Sequence, residues 1–212
     1  TGQELAFRAA ALQVCALLHH QFTEPRYAYS RGLDPIVGVS FTGLFDFFAN
    51  TFGRKWLEWM AAGRPDHVAG REWTAQEAGY LTHWRRWVED EVASYCREHE
   101  LKTPNRATTV QPAGTKSLLT GASSGWHPPK ATRFIRRITT GREDPVALAA
   151  MELGFNVIPA QSARDEEGHL LDNIYDERVR EWLVEIPTEV SWAEAAEGID
   201  IGALPVVSQW GL

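Results

Sequence analysis

The 212-residue sequence is long enough for one domain, and its 44% hydrophobic and 23% charged residues are ordinary for a globular protein. The formal net charge of −7 argues against nonspecific nucleic-acid binding, and no run of about 18 apolar residues predicts a membrane span. Cys15 and Cys96 are the only cysteines and form neither a disulfide framework nor a zinc motif, so we expect a cytoplasmic protein. No signal peptide is recognised at the start of the sequence. Because the first residue is Thr1 rather than Met, we expect a processed or excised piece of a longer polypeptide.

Helical patterns dominate the first half of the chain. Residues 3–20 are apolar nearly all round, which predicts a buried helix with Cys15 packed as a small hydrophobe. A polar loop is expected at residues 24–35, and a short buried strand at residues 36–43. Two short helices should follow, ended by Gly53 and Gly63.

The clearest predicted helix covers residues 74–99. Thr74 and Glu77 form a capping box at its start. Apolar residues recur along it at helical spacing: Tyr80, Trp84, Trp87, Val88, Val92, Tyr95 and Cys96. Such an aromatic stripe is conceivable as a cofactor pocket, but core packing is far more common, and we expect core packing here.

The second half alternates predicted strands and helices, which favours an α/β fold with parallel strands. Strands are predicted at residues 107–112, 155–161 and 178–187, the last ended by a proline. Asp144 as N-cap, Pro145 at the first position and Gly154 past the end delimit a helix. A second capping box at Ser191 predicts another short helix, and residues 205–212 include an apolar, strand-like run.

The stretch "PAGTKS", residues 112–117, has the composition of an anion-binding turn. Pro112 should end the strand, and the free N–H groups of the helix start that follows would face a ligand. Gly114 permits close approach of the backbone, Thr115 and Ser117 add hydroxyl groups, and Lys116 adds charge. The Walker P-loop is excluded because no glycine precedes the lysine, and a tight turn without a ligand remains the alternative for these six residues.

A second glycine-rich cluster, residues 120–129, follows after two leucines, and we expect it to border the same pocket. Its candidate rim residues are Gly121, Ser123, Ser124, Gly125 and His127. For the histidine, a structural imidazole bonded to the backbone is favoured over acid–base chemistry. Arg133, Arg136 and Arg137, expected on a helix, either steer phosphates or form ordinary solvated charge.

The segment "TTVQPAGTKSLLTGASSGWHPPKATRFIRRI" resembles the adenosylcobalamin-dependent (class II) ribonucleotide reductases, especially the monomeric ribonucleoside-triphosphate reductases. The segments "LDPIVGVSFTGLFDFF", "DPVALAAMELGFNVIPAQS" and "VREWLVEIPTEVSW" resemble parts of the same family in the same order. The resemblance therefore covers nearly the whole chain. It implies an α/β fold in which residues 1–212 form one segment of a ten-stranded α/β barrel, here incomplete.

The resemblance also implies a reaction, the reduction of ribonucleotides to the 2′-deoxyribonucleotides used in DNA replication. In the family, homolysis of the cobalt–carbon bond of adenosylcobalamin leads to a cysteine thiyl radical that abstracts the 3′ hydrogen of the ribose. A cysteine pair then reduces the 2′ carbon, and thioredoxin or a similar reductant recharges the enzyme. The residues that match the family's substrate-phosphate loop are Ala113, Gly114, Thr115, Lys116 and Ser117.

The chain departs from the family in its cysteines. No Asn-Pro-Cys-x-Glu segment, which carries the thiyl cysteine in the family, is present, and Cys15 and Cys96 match no family cysteine. We therefore assign no catalytic residue and no metal ligand, and we expect the isolated chain to be inactive without the remainder of the reductase. A diphosphate and a triphosphate substrate both remain open.

Two other functions are compatible with the sequence. One is a non-catalytic nucleotide-binding or complementing fragment of a split or degenerate reductase. The other is an unrelated α/β sugar-phosphate enzyme, which would need an acid–base pair. The acidic residues Asp165, Glu166 and Glu167 do not suggest one, because they are typical of a solvated turn.

Overall fold

The computed structural model describes residues 1–205 and 208, except for the side chain of Thr115. This part of the chain is a mixed α/β structure with seven α-helices and three β-strands. Contacts divide it into two compact units. Unit 1 is Thr1–Lys130 with the described residues from Glu194 onward, and unit 2 is Ala131–Ala193. That both units belong to one barrel segment stays a prediction.

Unit 1 is mainly helical. Its helices are α1 (Gly2–Cys15), α2 (Pro25–Leu33), α3 (Leu44–Phe52), α4 (Arg54–Ala61), α5 (Val68–Glu98) and α6 (Gly114–Thr120), with short 3-10 helices at Ala16–His19 and Ile201–Ala203. The polar loop predicted at residues 24–35 is wrong, because α2 lies there. Pro25 suits the first helical position, and Pro35 follows directly after the C-cap Asp34, so the two prolines delimit a helix rather than a loop.

The core of unit 1 lies between α1, α5 and two extended segments. Its buried members are Ala11, Cys15, Val37, Val39, Val88, Val92, Cys96 and Ala107. The prediction that Cys15 packs as a core residue is confirmed. The prediction of a helix buried on all sides is wrong, since only Ala11 and Cys15 of α1 are buried and Leu5 is 71% exposed. Only the side of α1 that faces α5 and the extended segments is covered.

Helix α5 begins earlier than predicted. Its N-cap is His67, whose Nδ1 accepts a hydrogen bond from the amide of Gly70 at 2.9 Å. The predicted capping box is therefore wrong: Thr74 lies inside the helix, and Glu77 is buried against Arg64 with a 2.7 Å ion pair. The predicted apolar stripe is confirmed as core, with Trp84, Val88, Val92 and Cys96 buried.

The predicted strands at residues 36–43 and 107–112 lie side by side as extended segments, joined by a single parallel bridge between Val39 and Thr108. The Val39 amide donates to the Ala107 carbonyl at 2.9 Å, and the Thr109 amide donates to the Val39 carbonyl at 2.9 Å. Because the two segments are parallel, their carboxyl ends meet at the same edge. Both segments then continue into the candidate site.

Unit 2 is a three-stranded antiparallel sheet with one helix. The strands are β1 (Arg133–Gly141), β2 (Asn156–Pro159) and β3 (Glu181–Glu189) in the order β1-β3-β2, and the helix is α7 (Pro145–Glu152). The predicted parallel sheet is wrong for these strands. Both β1 and β2 are antiparallel to β3, so they run parallel to each other with α7 as their connection. The later strand β3 inserts between them, which the alternation of strands and helices did not reveal.

Of two local sequence predictions in unit 2, a helix N-cap and a strand end, the first is confirmed and the second is wrong. The predicted helix with Asp144 as N-cap is confirmed, because Oδ1 of Asp144 accepts from the Val146 amide at 2.8 Å. The prediction that Pro187 ends its strand is wrong, since β3 continues to Glu189. β2 pairs with β3 only as far as Glu185, so Pro187 lies where β3 has one neighbour, and there a missing N–H is tolerated.

Two predictions concern the C-terminal part of the chain: a short helix after Ser191 and a strand-like run within residues 205–212. Residues 191–198 form a series of turns, so the short helix predicted after Ser191 is wrong. The strand-like run predicted within residues 205–212 lies largely outside the described residues. Within the described part of the chain, we find no helix that combines the length and the apolar character needed to cross a lipid bilayer.

Candidate anion-binding site

The first glycine loop leads into a short helix, as the sequence predicts. Ala113 has a φ of 51°, in the left-handed region, and turns the chain into α6, which ends at Gly121 with a φ of 64°. The amides of Gly114, Thr115 and Lys116 belong to the first helical turn and have no acceptor within the helix. The amide of Ser117 is the first to be bonded, to the Ala113 carbonyl at 3.0 Å. Three backbone N–H groups are thus available at this end of α6.

Two side chains of this loop take different roles. Lys116 is exposed, and its Nζ donates to Oε1 of Gln111 at 3.0 Å. Ser117 is only 1% exposed; its Oγ donates to the Gly114 carbonyl at 2.7 Å and lies 3.3 Å from Oγ of Ser124. Ser117 therefore connects the two glycine loops, and its hydroxyl is already engaged inside the protein. The side chain of Thr115, also a predicted ligand donor, lies outside the described residues.

The second glycine loop lies directly against the first. Gly125 is buried with a φ of 58°, and a Cβ there would come within 3.0 Å of the Gln111 carbonyl oxygen and 3.2 Å of the Pro112 carbonyl oxygen. Only glycine fits this backbone conformation and this close approach. His127 is exposed, and no hydrogen bond joins its ring to the described residues, so the predicted bond from the ring to backbone is not present.

The second loop is hydrogen-bonded to the start of α3 and to the segment that precedes it. Oγ1 of Thr42 donates to the Ser123 carbonyl at 2.7 Å and accepts from the Gly125 amide at 3.1 Å. Asp46, in the first turn of α3, accepts from the Ser123 amide at 2.6 Å and from Ser123 Oγ at 2.7 Å. Sequence analysis missed both Thr42 and Asp46. The alternation in "SFTG" is the one available signal, because it puts Ser40 and Thr42 on the same side of the segment.

A cavity of about 300 Å³ lies beside the first loop and α6, and the candidate rim residues of the second loop, Gly121, Ser123, Ser124, Gly125 and His127, are not among its lining residues. Polar groups reach it from α1 through Gln13, from the first extended segment through Ser40 and Thr42, and from the α6 region through Gln111 and Lys116. The carboxyl ends of the parallel segments bring these groups to one edge, as in other α/β sites. The cavity is polar enough to receive a hydroxylated ligand and borders the free end of α6.

The three arginines after the loops were predicted on a helix, and that prediction is wrong. They lie on strand β1, where Arg133 pairs with Glu189 at 2.8 Å and Arg137 pairs with Glu185 at 2.8 Å. Hydrogen bonds from Asn156 and Arg137 hold the pKa of Glu185 below its usual range. For Arg133 and Arg137, ordinary surface charge is therefore the better description. The cause of the error is the alternation in "RFIRRITT", which fits a strand.

The acidic stretch at Asp165 forms a turn, as predicted. Oδ1 of Asp165 accepts from the His169 amide at 2.7 Å, and Arg164 bridges to Leu170. Asp165, Glu167 and His169 each place one possible ligand atom within 4.8 Å of the others. The cluster is largely exposed, and solvated acidic turns of this kind are common without a metal ion.

Both thiols are inaccessible. Cys15 and Cys96 are 0% exposed in the core between α1 and α5. Burial raises the pKa of Cys15 to about 11, and burial also raises the pKa of Cys96. Since the thiolate is the nucleophile, neither cysteine is suited to nucleophilic chemistry in this conformation.

Cysteine labelling tests the buried placement of the two thiols directly. At pH 7.5 only on the order of 1 in 1,000 Cys15 thiols or fewer is ionised. We expect iodoacetamide to leave both thiols unmodified in the native protein over an hour and to modify both in guanidinium, as measured by intact mass. The modification rate of the native protein should rise as the pH approaches 11, because the thiolate fraction rises with it. Rapid native labelling at pH 7.5 would contradict the buried placement.

Comparison with known proteins gives a consistent result. No protein-family model matches the chain. The adenosylcobalamin-dependent ribonucleoside-triphosphate reductase of Lactobacillus gasseri is 27% identical over 128 residues, which are 58% of this chain and 17% of the relative. The enzyme of the same name from Lacticaseibacillus paracasei is 28% identical over 130 residues, 58% of this chain and 17% of the relative. The Euglena gracilis enzyme is 35% identical over 60 residues, 28% of this chain and 8% of the relative.

The fold has a solved counterpart. A crystal structure of a B12-dependent (class II) ribonucleotide reductase superposes with a TM-score of 0.67 at 19% identity, over 91% of this chain and 25% of the solved chain. The chain spans 17% of the length of the first two relatives, so the comparison concerns one part of a much longer protein. Over part of its own length and of theirs, the chain is therefore a homologue of the adenosylcobalamin-dependent ribonucleoside-triphosphate reductases.

Proposed function

We propose that the chain is part of an adenosylcobalamin-dependent ribonucleoside-triphosphate reductase and supplies the portion that binds the substrate phosphates. The observation that carries this proposal is the first glycine loop, which lines the 300 Å³ cavity and is hydrogen-bonded to the second glycine loop behind it. The names of the relatives support the reaction and the triphosphate substrate. The incomplete ten-stranded barrel belongs to the same proposal, since the solved counterpart is four times longer than the matched part.

The phosphates are proposed to bind at the free end of α6. Phosphate oxygens only accept hydrogen bonds, and the amides of Gly114, Thr115 and Lys116 are donors without an intrahelical acceptor. The ammonium of Lys116 adds a positive charge that can leave Gln111 for the ligand. Ala113 provides the turn that exposes the amides. Because α6 has only seven residues, its dipole is small, and direct hydrogen bonds carry most of the binding.

The ribose is proposed to occupy the adjacent cavity. Its hydroxyl groups are both donors and acceptors, and the cavity offers the Gln13 carboxamide and the hydroxyl of Ser40. Gly121, Ser123, Ser124 and Gly125 form the second loop behind the phosphate loop and shape it. His127, at the end of that loop, is exposed and is given no acid–base role.

The radical chemistry is proposed to come from outside this chain. Both cysteines are buried, and neither lies in a segment that resembles the family's cysteine motifs, so the thiyl cysteine, the reducing cysteine pair and the reductant, thioredoxin or a similar protein, are assigned to the remainder of the complete reductase and its partners. Adenosylcobalamin generates the initial radical in the complete enzyme. The cavities of about 300 and 250 Å³ in unit 1 cannot enclose a corrin with its nucleotide tail, so no step is assigned to the cofactor here. The cytoplasmic location stays a prediction.

The buried cysteines also favour a second function, a non-catalytic nucleotide-binding or complementing fragment of a split or degenerate reductase. The intact mass of the native polypeptide separates the two. A mass well above 23.8 kDa would show that the chain is part of a longer reductase. For a product near 23.8 kDa, activity restored by a second polypeptide that brings the cysteines would indicate a split enzyme, and nucleotide binding without turnover would indicate a degenerate one.

The phosphate site is tested by Gly114→Val in the complete reductase. Nothing lies within 4 Å of a Cβ placed on Gly114, so the fold should tolerate the substitution. The new side chain would occupy the space through which the ligand approaches the backbone. We expect at least about a tenfold loss of affinity for inorganic triphosphate by calorimetry, and a similar rise in KM for the ribonucleoside triphosphate.

The matched control is Leu119→Val on the same helix, which changes a side chain that is 91% exposed. It should leave both the affinity and KM unchanged. Unchanged triphosphate affinity in the Gly114→Val protein, with a normal melting temperature, would contradict the assignment of this loop.

A further inference from the structure

One serine in the second glycine loop has all of its polar groups engaged. The Ser123 amide and hydroxyl both donate to the carboxylate of Asp46, at 2.6 and 2.7 Å. The Ser123 carbonyl accepts from Oγ1 of Thr42 at 2.7 Å and from the Gly43 amide at 2.9 Å. Four hydrogen bonds thus restrain Ser123, although it lies in an irregular loop.

These bonds also set the position of the first loop. Thr42 accepts from the Gly125 amide at 3.1 Å, and Gly125 lies against the carbonyl groups of Gln111 and Pro112. Ser124, between Ser123 and Gly125, meets Ser117 of α6 at 3.3 Å. The second loop is therefore a connector: one side is bound to Thr42 and Asp46, and the other side touches the loop and helix that expose the free amides.

A carboxylate is chemically suited to this task. Asp46 accepts from the Ser123 amide on one carboxylate oxygen and from the Ser123 hydroxyl on the other, and hydrogen bonds to an ionised acceptor are about twice as strong as neutral ones. Asp46 lies in the first turn of α3, which fixes its place beside the second loop. Gly43 leaves no room for a side chain, since its Cβ would come within 2.9 Å of Ala122 Cβ, so the loop crosses α3 in close contact.

We propose that Asp46 and Thr42 are positioning residues, which hold the loop of residues 121–128 so that the free end of α6 stays open for the phosphates of the substrate. Asp46 does not line the cavity proposed for the ribose, whereas Thr42 does, and both are proposed to act on the phosphates only through the second loop. This inference rests on the proposed function, because it concerns the same anion site. It adds two residues that act through Ser123 and Gly125 and that sequence analysis did not identify.

The test uses the complete reductase that contains this chain. Asp46→Ala removes both acceptors for Ser123, and Thr42→Val removes one hydroxyl while keeping the shape of the side chain. We expect inorganic triphosphate to bind about tenfold more weakly to either variant, with KM for the ribonucleoside triphosphate raised more than kcat is lowered. Hydrogen exchange by mass spectrometry should accelerate in residues 121–128, whereas exchange in α5 should not change.

Two further proteins complete the design. Asp46→Asn keeps one acceptor for Ser123 and should recover part of the affinity. Thr51→Val on α3 is the matched control, because it also removes a hydroxyl, one that donates to the Phe47 carbonyl at 2.7 Å and lies outside the loops. It should bind triphosphate as the wild-type protein does.

The outcomes separate the two proposals. Wild-type affinity in both Asp46→Ala and Thr42→Val would overturn the positioning role and leave the proposed function standing. So would weaker binding accompanied by faster exchange in α5, because that result would show general destabilisation. Absence of triphosphate binding by the wild-type protein would overturn the proposed function, and the positioning role with it.

Discussion

Replacing Glu77 with alanine is expected to lower the free energy of unfolding by about 3–5 kcal/mol, because it leaves a buried cation without a partner. Glu77 accepts from Arg64 Nη2 at 2.7 Å and from Trp56 Nε1 at 2.7 Å, and the Arg64 and Glu77 side chains are 9% and 4% exposed. Arg64 is fixed further by stacking 4.3 Å over the ring of Trp59. The alanine variant keeps that stacked guanidinium buried with its charge uncompensated.

The measurement is guanidinium-induced unfolding of the wild-type and variant proteins followed by circular dichroism. The matched control is Glu58→Ala, which breaks an ion pair with Arg54 whose two side chains are about half exposed, at 49% and 51%. The control should change stability by less than about 0.5 kcal/mol. The double substitution Arg64→Met with Glu77→Leu should regain most of the loss, because no charge remains buried. A loss below about 1 kcal/mol for Glu77→Ala would show that Arg64 reaches solvent when its partner is removed.

Replacing Trp182 with alanine is expected to destabilise unit 2 by about 3–5 kcal/mol. Trp182 is 0% exposed and forms the core of this unit with Ala147, Ala163, Val179 and Val184. Its Nε1 donates to the Ile174 carbonyl at 3.0 Å, which ties the segment between β2 and β3 to the sheet. Removal of the ring leaves a cavity in a small core that a single helix covers on one side.

Hydrogen exchange of the amides in β1, β2 and β3 is the appropriate measurement, because it reports on this unit alone. Trp182→Phe should destabilise unit 2 by less, about 1–2 kcal/mol, because it keeps an aromatic ring and loses only the hydrogen bond to the Ile174 carbonyl and the larger ring. Tyr175→Ala serves as the control on the same segment, because Tyr175 is 57% exposed. Equal protection of the sheet amides in the Trp182→Ala and Tyr175→Ala proteins would contradict the central role of this side chain.

The local parts of the structure followed from local signals. Asp144, Pro145 and Gly154 delimit α7 because capping bonds, a preset φ and a left-handed C-terminal residue all act within a few residues of the chain. The turn into α6 at Ala113 and the burial of Cys15 were predictable for the same reason. The likeness of "PAGTKSLLTGASSG" to a reductase family was also visible in the sequence, and the relatives that share the reductase name agree with it.

Contacts between distant residues account for the errors. The pattern of Thr74 and Glu77 is that of a capping box, yet the helix begins at Val68 with His67 as its N-cap, and Glu77 pairs instead with Arg64 in the segment before the helix. The alternation in "RFIRRITT" fits a strand, but the antiparallel partner of that strand is β3, about 50 residues later, and this pairing could not be read from the local pattern. Likewise, β3 inserts between β1 and β2, an arrangement that no local periodicity encodes.

The same division applies to the candidate site. The residue types of the site could be identified from the sequence alone. Small residues, hydroxyl groups and Lys116 follow one another in the chain, so covalent geometry keeps them close together. Only the tertiary structure decided that Ser117 turns inward to meet Ser124 and that Thr42 and Asp46, about 80 residues earlier, hold the second loop. Hydrogen bonds between residues so far apart in sequence depend on how helices and extended segments pack, which is a property of the whole folded unit.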